Sequence, residues 1–159
     1  MGFDQSVRFV LEAERGYVFD PNDPGGETNF GISKRAYPHL DIKNLTVNQA
    51  IDIYKKDYWD RGRCELLPDN LQLIYFDACV NQGLSSAAID LQRAIEVRPQ
   101  DGIVGPKTLR AAHSWPKGER LTLFAAERAR RYAMSVNFDR YGRGWLARLF
   151  RATLASSMS

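Results

Sequence analysis

Apolar residues recur at helical spacing in Phe3, Val7, Val10 and Leu11, so the chain opens on an amphipathic helix expected to end near Glu14, with Gly16 suited to its C-terminal cap. Residues 17–33 hold so many Pro, Gly, Asn and Asp that only turns or short strands fit there. Regular structure resumes at Thr46-Val47-Asn48-Gln49, which reads as a capping box, and Val47, Ile51, Tyr54 and Tyr58 carry an apolar stripe through a second helix. Pro68 and Asp69 open a third, over 71–81, which is apolar around much of its circumference and so belongs in the middle of the fold, with Gly83 as its stop. Ser85 is placed to cap a helix over 87–97, and Gly105-Pro106 puts proline at the first turn of another over 107–113. Two more follow, over 119–136 and 145–154, the last with Leu146, Leu149, Phe150 and Leu154 on one face. No linker, repeat or low-complexity segment interrupts the 159 residues, which is the size of one compact domain. The prediction is therefore a mainly α single domain with one irregular lobe near its start.

The junction between the first helix and that lobe carries the candidate chemistry. Glu14 ends the helix, and Asp20, Asp23 and Glu27 follow on the loop, with Thr28 where regular structure returns. Hydrolysis of a glycosidic bond needs an acid that protonates the leaving oxygen and a second oxygen group that stabilises the cationic sugar or orients water, so carboxyls must approach from separate elements. Glu14 suits the first role; Asp23, with Thr28 as a neutral water-positioning group, suits the second, in competition with Asp20 and Glu27. Glu14 would have to keep its proton at neutral pH, which a desolvating cleft and neighbouring acids favour. Tyr17 and Asn81 lie beside helix ends expected to face the groove, and with Asp20 are the candidates for contacting substrate. A lone helix-terminal Glu is ordinarily solvated surface and Asp-Pro-Gly-Gly is ordinarily turn chemistry. The signal is their ordered combination.

That combination resembles a known family. Glu14-Arg15-Gly16-Tyr17, the run from Asp23 through Pro24-Gly25-Gly26-Glu27-Thr28-Asn29-Phe30-Gly31-Ile32-Ser33, and Ile53-Tyr54-Lys55-Lys56-Asp57-Tyr58-Trp59 are similar to glycoside hydrolase family 108, the lysozyme-like N-acetylmuramidases of phage endolysins and bacterial secretion systems. The likeness continues through Phe76-Asp77-Ala78-Cys79-Val80-Asn81-Gln82-Gly83, and on to Asp101-Gly102-Ile103-Val104-Gly105-Pro106-Lys107-Thr108. It departs from the usual pattern at Arg15, where many relatives have a second glycine. The resemblance implies a lysozyme-like helical domain with a small hairpin lobe and Glu14 as the catalytic acid. It also implies peptidoglycan glycan strands as the partner. The chain is further expected to need no cofactor or metal, to bind no nucleic acid and to act as a monomer. The 101–108 string is also similar to small helical peptidoglycan-binding repeats, which marks the part from about residue 85 as a related subdomain, although one copy inside a helical domain reads more simply as packing.

Charge and cysteines refine this picture. Residues 1–119 carry 14 Lys/Arg against 17 Asp/Glu, whereas residues 120–159 carry 8 Arg against 2 acids, so the overall +3 conceals a basic C-terminal part. Such a surface suits polyanions, an anionic cell envelope among them. Cys64 and Cys79 are too far apart in sequence for a metal knuckle, and only two histidines accompany them, so two core thiols are expected; a disulfide would require an oxidising compartment. The N-terminus shows no basic and apolar export signal, which leads to the expectation of an enzyme held in a host cytoplasm until it is released to a periplasmic wall. The rival readings are a non-catalytic wall-binding module and a membrane-active cationic protein, neither of which needs Glu14.

Overall fold

The computed structural model describes residues 2–14, 16–19 and 26–159. Helix α1, Phe3–Ala13, buries Ser6, Val7 and Val10 and ends at Glu14, whose extended backbone (φ −88°, ψ 131°) leads the chain away. Gly16 is therefore not the cap: an extended residue stops a helix without any left-handed glycine, and the acid itself occupies the end of the helix.

The lobe that follows is a three-stranded antiparallel sheet of β1 (Val18–Phe19), β2 (Glu27–Asn29) and β3 (Ile32–Ser33), in that order. Val18 pairs with Thr28, Thr28 with Ser33 and Asn29 with Ile32. Between β2 and β3 the two-residue turn Phe30-Gly31 has positive φ at both positions (49° and 76°), the mirror-image turn whose twist matches a hairpin. The Asn29 amide, buried beneath it, donates to the Ile42 carbonyl at 3.0 Å and pins the lobe to the next segment.

Helix α2, Val47–Ile53, starts with the expected capping box: Thr46 Oγ1 accepts from the Gln49 amide at 3.3 Å, and the Thr46 amide donates to Gln49 Oε1 at 2.9 Å. Val47 is exposed, so the apolar stripe starts only further along. The helix then widens into a π-helical stretch, Tyr54–Asp60. That spacing brings residues five apart onto one side, and Tyr54 and Trp59 are both buried. After a short 3₁₀ turn, Cys64–Leu66, comes α3, Asp69–Gln82, in which every residue from position 70 to position 79 is buried. It runs through the middle of the molecule and packs against α1 and three of the four helices described next.

Helix α4, Leu84–Ala94, begins directly after Gly83 (φ 88°), so Ser85 lies inside its first turn rather than capping it. The 101–108 string is bound internally: the buried Gln92 amide donates to Asp101 Oδ1 at 2.7 Å, the Ile103 carbonyl at 3.0 Å and Thr108 Oγ1 at 3.1 Å. Helix α5, Pro106–Ser114, has its proline in the first turn, and α6, Lys117–Ala133, packs on α4. Helix α7, Phe138–Ser157, packs on α3 and α6 and starts seven residues earlier than the periodicity suggests. Gly142 and Gly144 lie inside it; a Cβ at Gly142 would stand 2.6 Å from the Phe138 ring, so this glycine allows a close contact. Leu149 is buried but Phe150 and Leu154 are exposed, which breaks up the single apolar face expected for this helix. The mainly α fold with a small hairpin lobe is the one the sequence predicts. Among the described residues, no helix is long and apolar enough to cross a membrane.

Candidate active site

Glu14 stands where α1 delivers its side chain under the hairpin turn. A Cβ at Gly31 would lie 2.8 Å from Glu14 Cγ and Cδ and 2.7 Å from Tyr54 Oη, so glycine at this left-handed position lets the turn close directly over the carboxyl. Tyr54 Oη donates to the Phe30 carbonyl at 2.7 Å and ties the same turn to the π-helical stretch. Burial, followed by the nearby Glu14 charge, pushes the Tyr54 phenol well above its usual value, so it remains a neutral donor.

A carboxylate at the C-terminal end of a helix faces the negative end of the helix dipole and needs a cation nearby. Arg148, from the middle of α7, supplies it: Nη1 lies 2.6 Å from Glu14 Oε1. Its Nε donates to Asp77 Oδ1 at 2.8 Å, and the other oxygen of Asp77 takes Arg128 Nη2 at 2.9 Å. Asp77 and Arg128 are fully buried, the Arg148 side chain is 11% exposed and that of Glu14 is 22% exposed. Glu14, Arg148, Asp77 and Arg128 thus form one row of alternating charge running from the cleft into the core. Burial works against the charge on Arg148, but the attraction of Asp77 and Glu14 and their hydrogen bonds outweigh it and raise its pKa further. Arg128 also donates to the Ile74 carbonyl at 3.0 Å and to Gln82 Oε1 at 2.9 Å. Beyond it, Tyr132 Oη donates to Asn81 Oδ1 at 2.6 Å.

The structure brings Glu14 together with residues the sequence reading did not choose. The charged group bonded to Glu14 is the Arg148 guanidinium. Thr28 is in the central strand, paired with Val18 and Ser33, on the sheet face opposite the buried Asn29. Tyr17 is exposed and donates to Glu27 Oε1 at 3.2 Å. Asn81 lies one turn along α3 from Asp77 and serves the inner end of the charged row. Asp20 and Asp23 lie outside the described residues. The clue to the missed residues was Asp77: an acid in the apolar run Leu73-Ile74-Tyr75-Phe76-Asp77-Ala78-Cys79-Val80 must find a cation inside the protein.

The arginines divide in two as well. Arg120, Arg128, Arg131 and Arg148 turn inward; Arg131 grips the buried Asp90 with bonds of 2.6 and 2.7 Å. Of the basic C-terminal set, Arg130, Arg140, Arg143 and Arg151 remain exposed, half of what the sequence offered to an anionic envelope. Cys64 and Cys79 are both buried free thiols. Among the described residues, no group of three or more His, Cys, Asp or Glu could hold a metal ion.

Residues 7–83 match the family described as glycosyl hydrolase 108, a segment that contains Glu14, Tyr17, Thr28, Asp77 and Asn81. Over this segment, just under half of its length, the chain is similar to glycoside hydrolase family 108. It is a glycoside hydrolase of the lysozyme type, and peptidoglycan is the polymer this assignment gives it. A solved structure of Brucella abortus SagA superposes with a TM-score of 0.89 and 29% identity, covering 98% of this chain and 94% of that chain. The likeness therefore extends past the matched segment to α6 and α7, which provide Arg128 and Arg148. No curated protein matches the chain.

Proposed function

We propose that the chain is an N-acetylmuramidase that cleaves the β-1,4 bond between N-acetylmuramic acid and N-acetylglucosamine, with Glu14 as general acid. The observation that carries this reading is Glu14 itself, held at the end of α1 under the Gly31 turn with Oε1 fixed by Arg148. With Oε1 so held, the transferred proton belongs on Oε2, which passes it to the leaving oxygen. Arg148 gives up none of its charge in doing so, because Asp77 and Arg128 behind it keep the row fixed. The carboxylate formed on Glu14 stays hydrogen-bonded to the same guanidinium. Asp23 is assigned to the oxocarbenium-like sugar or, with Thr28, to the attacking water; Tyr17, Asp20 and Asn81 are assigned to substrate. If Thr28 and Asp23 share that water, the reaction inverts the anomeric centre.

Delivery follows as part of the same proposal: a phage endolysin, working as a monomer, released from a host cytoplasm to the wall, with the four exposed arginines of the C-terminal part drawing it to an anionic envelope. The test is digestion of purified peptidoglycan with product mass spectrometry, comparing wild type with Glu14→Gln. Reducing-end muramic acid is expected from wild type, and at least roughly a hundredfold lower turnover from the variant, the lower range for losing a positioned acid. Anhydro-muramic ends, released peptides, or more than a tenth of wild-type turnover in Glu14→Gln would overturn the assignment.

A further inference from the structure

The fold brings the only two cysteines of the chain together from separate elements. Cys64 opens the 3₁₀ turn Cys64–Leu66, and Cys79 lies near the end of α3, which packs on that turn and on the π-helical stretch before it. Both side chains are fully buried free thiols. Gly62 measures how near they are: a Cβ there would stand 3.2 Å from both Sγ atoms and 3.4 Å from Leu84 Cδ2. The two thiols also hydrogen-bond each other. Gly62 has no left-handed backbone that would call for glycine, so what it supplies is room beside the two sulphurs.

A core thiol packs as a small apolar group and needs no second thiol next to it. Here the only two meet, and their surroundings keep them unreactive once the core has closed. Cys64 Sγ donates to the Tyr58 carbonyl at 4.0 Å, and Tyr75 shares a hydrogen bond with Cys79. Burial first, and then Cys79, hold the Cys64 thiol well above its usual value. Exchange with an external disulfide needs a thiolate and access to it, and the folded core offers neither at Cys64. Before α3 closes on the 3₁₀ turn, both sulphurs are open to solvent.

We infer that Cys64 and Cys79 are a site of covalent modification: they join as an intramolecular disulfide when the chain folds beside a small-molecule disulfide or an oxidoreductase disulfide, and the closed core then preserves whichever state it received. One protein thiolate attacks the external disulfide, forming a mixed disulfide and releasing one external thiolate. The second protein thiolate attacks the protein sulphur of that mixed disulfide and releases the other. Two protein thiols are oxidised, the external disulfide is reduced to two thiols, and the protons lost by the cysteines end on those thiols. The bond would link the segment after Tyr54 to the helix that carries Asp77, two positions before Cys79. It would close a loop of about fifteen residues, which by loop-closure entropy corresponds to a melting temperature about 6–12 °C higher.

The test unfolds and reduces wild type, then refolds it either with dithiothreitol or with a mixture of oxidised and reduced glutathione. The glutathione product should be lighter by two hydrogens, yield a Cys64–Cys79 linked peptide on digestion, show no free thiol in denaturant and melt about 6–12 °C above the dithiothreitol product. Two free thiols, or glutathione left on a single cysteine, would overturn the inference. So would an equal or lower melting temperature in the bridged form, which would mean that the sulphurs are not placed for the bond. Cys64→Ala and Cys79→Ala should each abolish the difference between the two buffers, and a difference that persists in either refutes the bridge as its cause. If a variant does not fold, the two wild-type products decide alone. Native reduced protein placed in the same glutathione mixture should keep both thiols for hours, and prompt oxidation would refute the shielding by the core. None of these readouts depends on the polymer the chain cleaves.

Discussion

Replacing Arg148 by methionine tests the whole charged row. The substitution keeps most of the stem that packs between α3 and α7 but removes the cation shared by Asp77 and Glu14. Breaking a buried ion pair by deleting one partner costs about 3–5 kcal/mol, chiefly because the remaining charge is left without compensation. Here Asp77 keeps Arg128 on its other oxygen, so the lower end applies, about 3 kcal/mol. For a chain of this size each kcal/mol moves the melting temperature by roughly 2–4 °C, which gives a fall of about 6–12 °C. Turnover should fall further than stability explains, on the order of tenfold to a hundredfold, because Glu14 loses the group that fixes its Oε1 and small misplacements of a reacting group are costly. Thermal unfolding by circular dichroism and initial rates on peptidoglycan, measured well below the melting range, separate the two effects. Arg148→Lys sharpens the comparison: a single ammonium can serve Asp77 or Glu14 but cannot fork between them, so it should recover more stability than turnover. A melting temperature within 1 °C of wild type in Arg148→Met would refute the buried row. Lost stability with wild-type turnover would show that Arg148 supports the fold without positioning the acid.

Two further outcomes are expected besides those tied to Glu14 and to the cysteine pair. Gly31→Ala forces a side chain into a left-handed position and into van der Waals overlap with Glu14 and Tyr54, so turnover should drop by roughly tenfold or more while the far helices are unaffected; wild-type kinetics in this variant would mean that the turn does not close over the acid. At alkaline pH, burial raises the phenols of Tyr54 and Tyr132 above their unfolded value of about 10, so the stability they contribute is fully present below pH 10 and is lost as pH rises through the folded values. Denaturant midpoints should therefore fall as pH rises above about 10, with phenolate absorbance from these residues appearing only on unfolding; titration of all seven tyrosines near 10 in the native protein would contradict their burial.

What the sequence revealed and what it hid follow from the range over which each interaction acts. The capping box at Thr46, the stop at Gly83, the proline opening α5 and the burial of α3 depend on neighbours within a turn or two, and these were legible as local pattern. The widening at Tyr54 was not, because a π-helical stretch inherits the composition of the α-helix it interrupts. The start of α7 was hidden by Gly142 and Gly144, which read as breakers until the Phe138 ring is placed against one of them. Glu14 could be selected because a helix end, a turn-rich loop and a carboxylate coincide in one short segment. Its partner could not, since eight arginines in the last forty residues look alike in one dimension, and only the docking of α7 on α3 turns Arg148 inward and leaves Arg151 in solvent.

The bond between Glu14 and Arg148 joins positions 134 residues apart in the chain, which gives it a meaning in time as well as in space. Domains emerge from the ribosome N-terminal end first, so the hairpin turn, α1 and α3 are made while α7 does not yet exist. Through that interval the growing polypeptide contains the acid but not the group that holds it. The bond between them can form only once α7 has been made and has docked on α3, so a product terminated ahead of α7 would lack it.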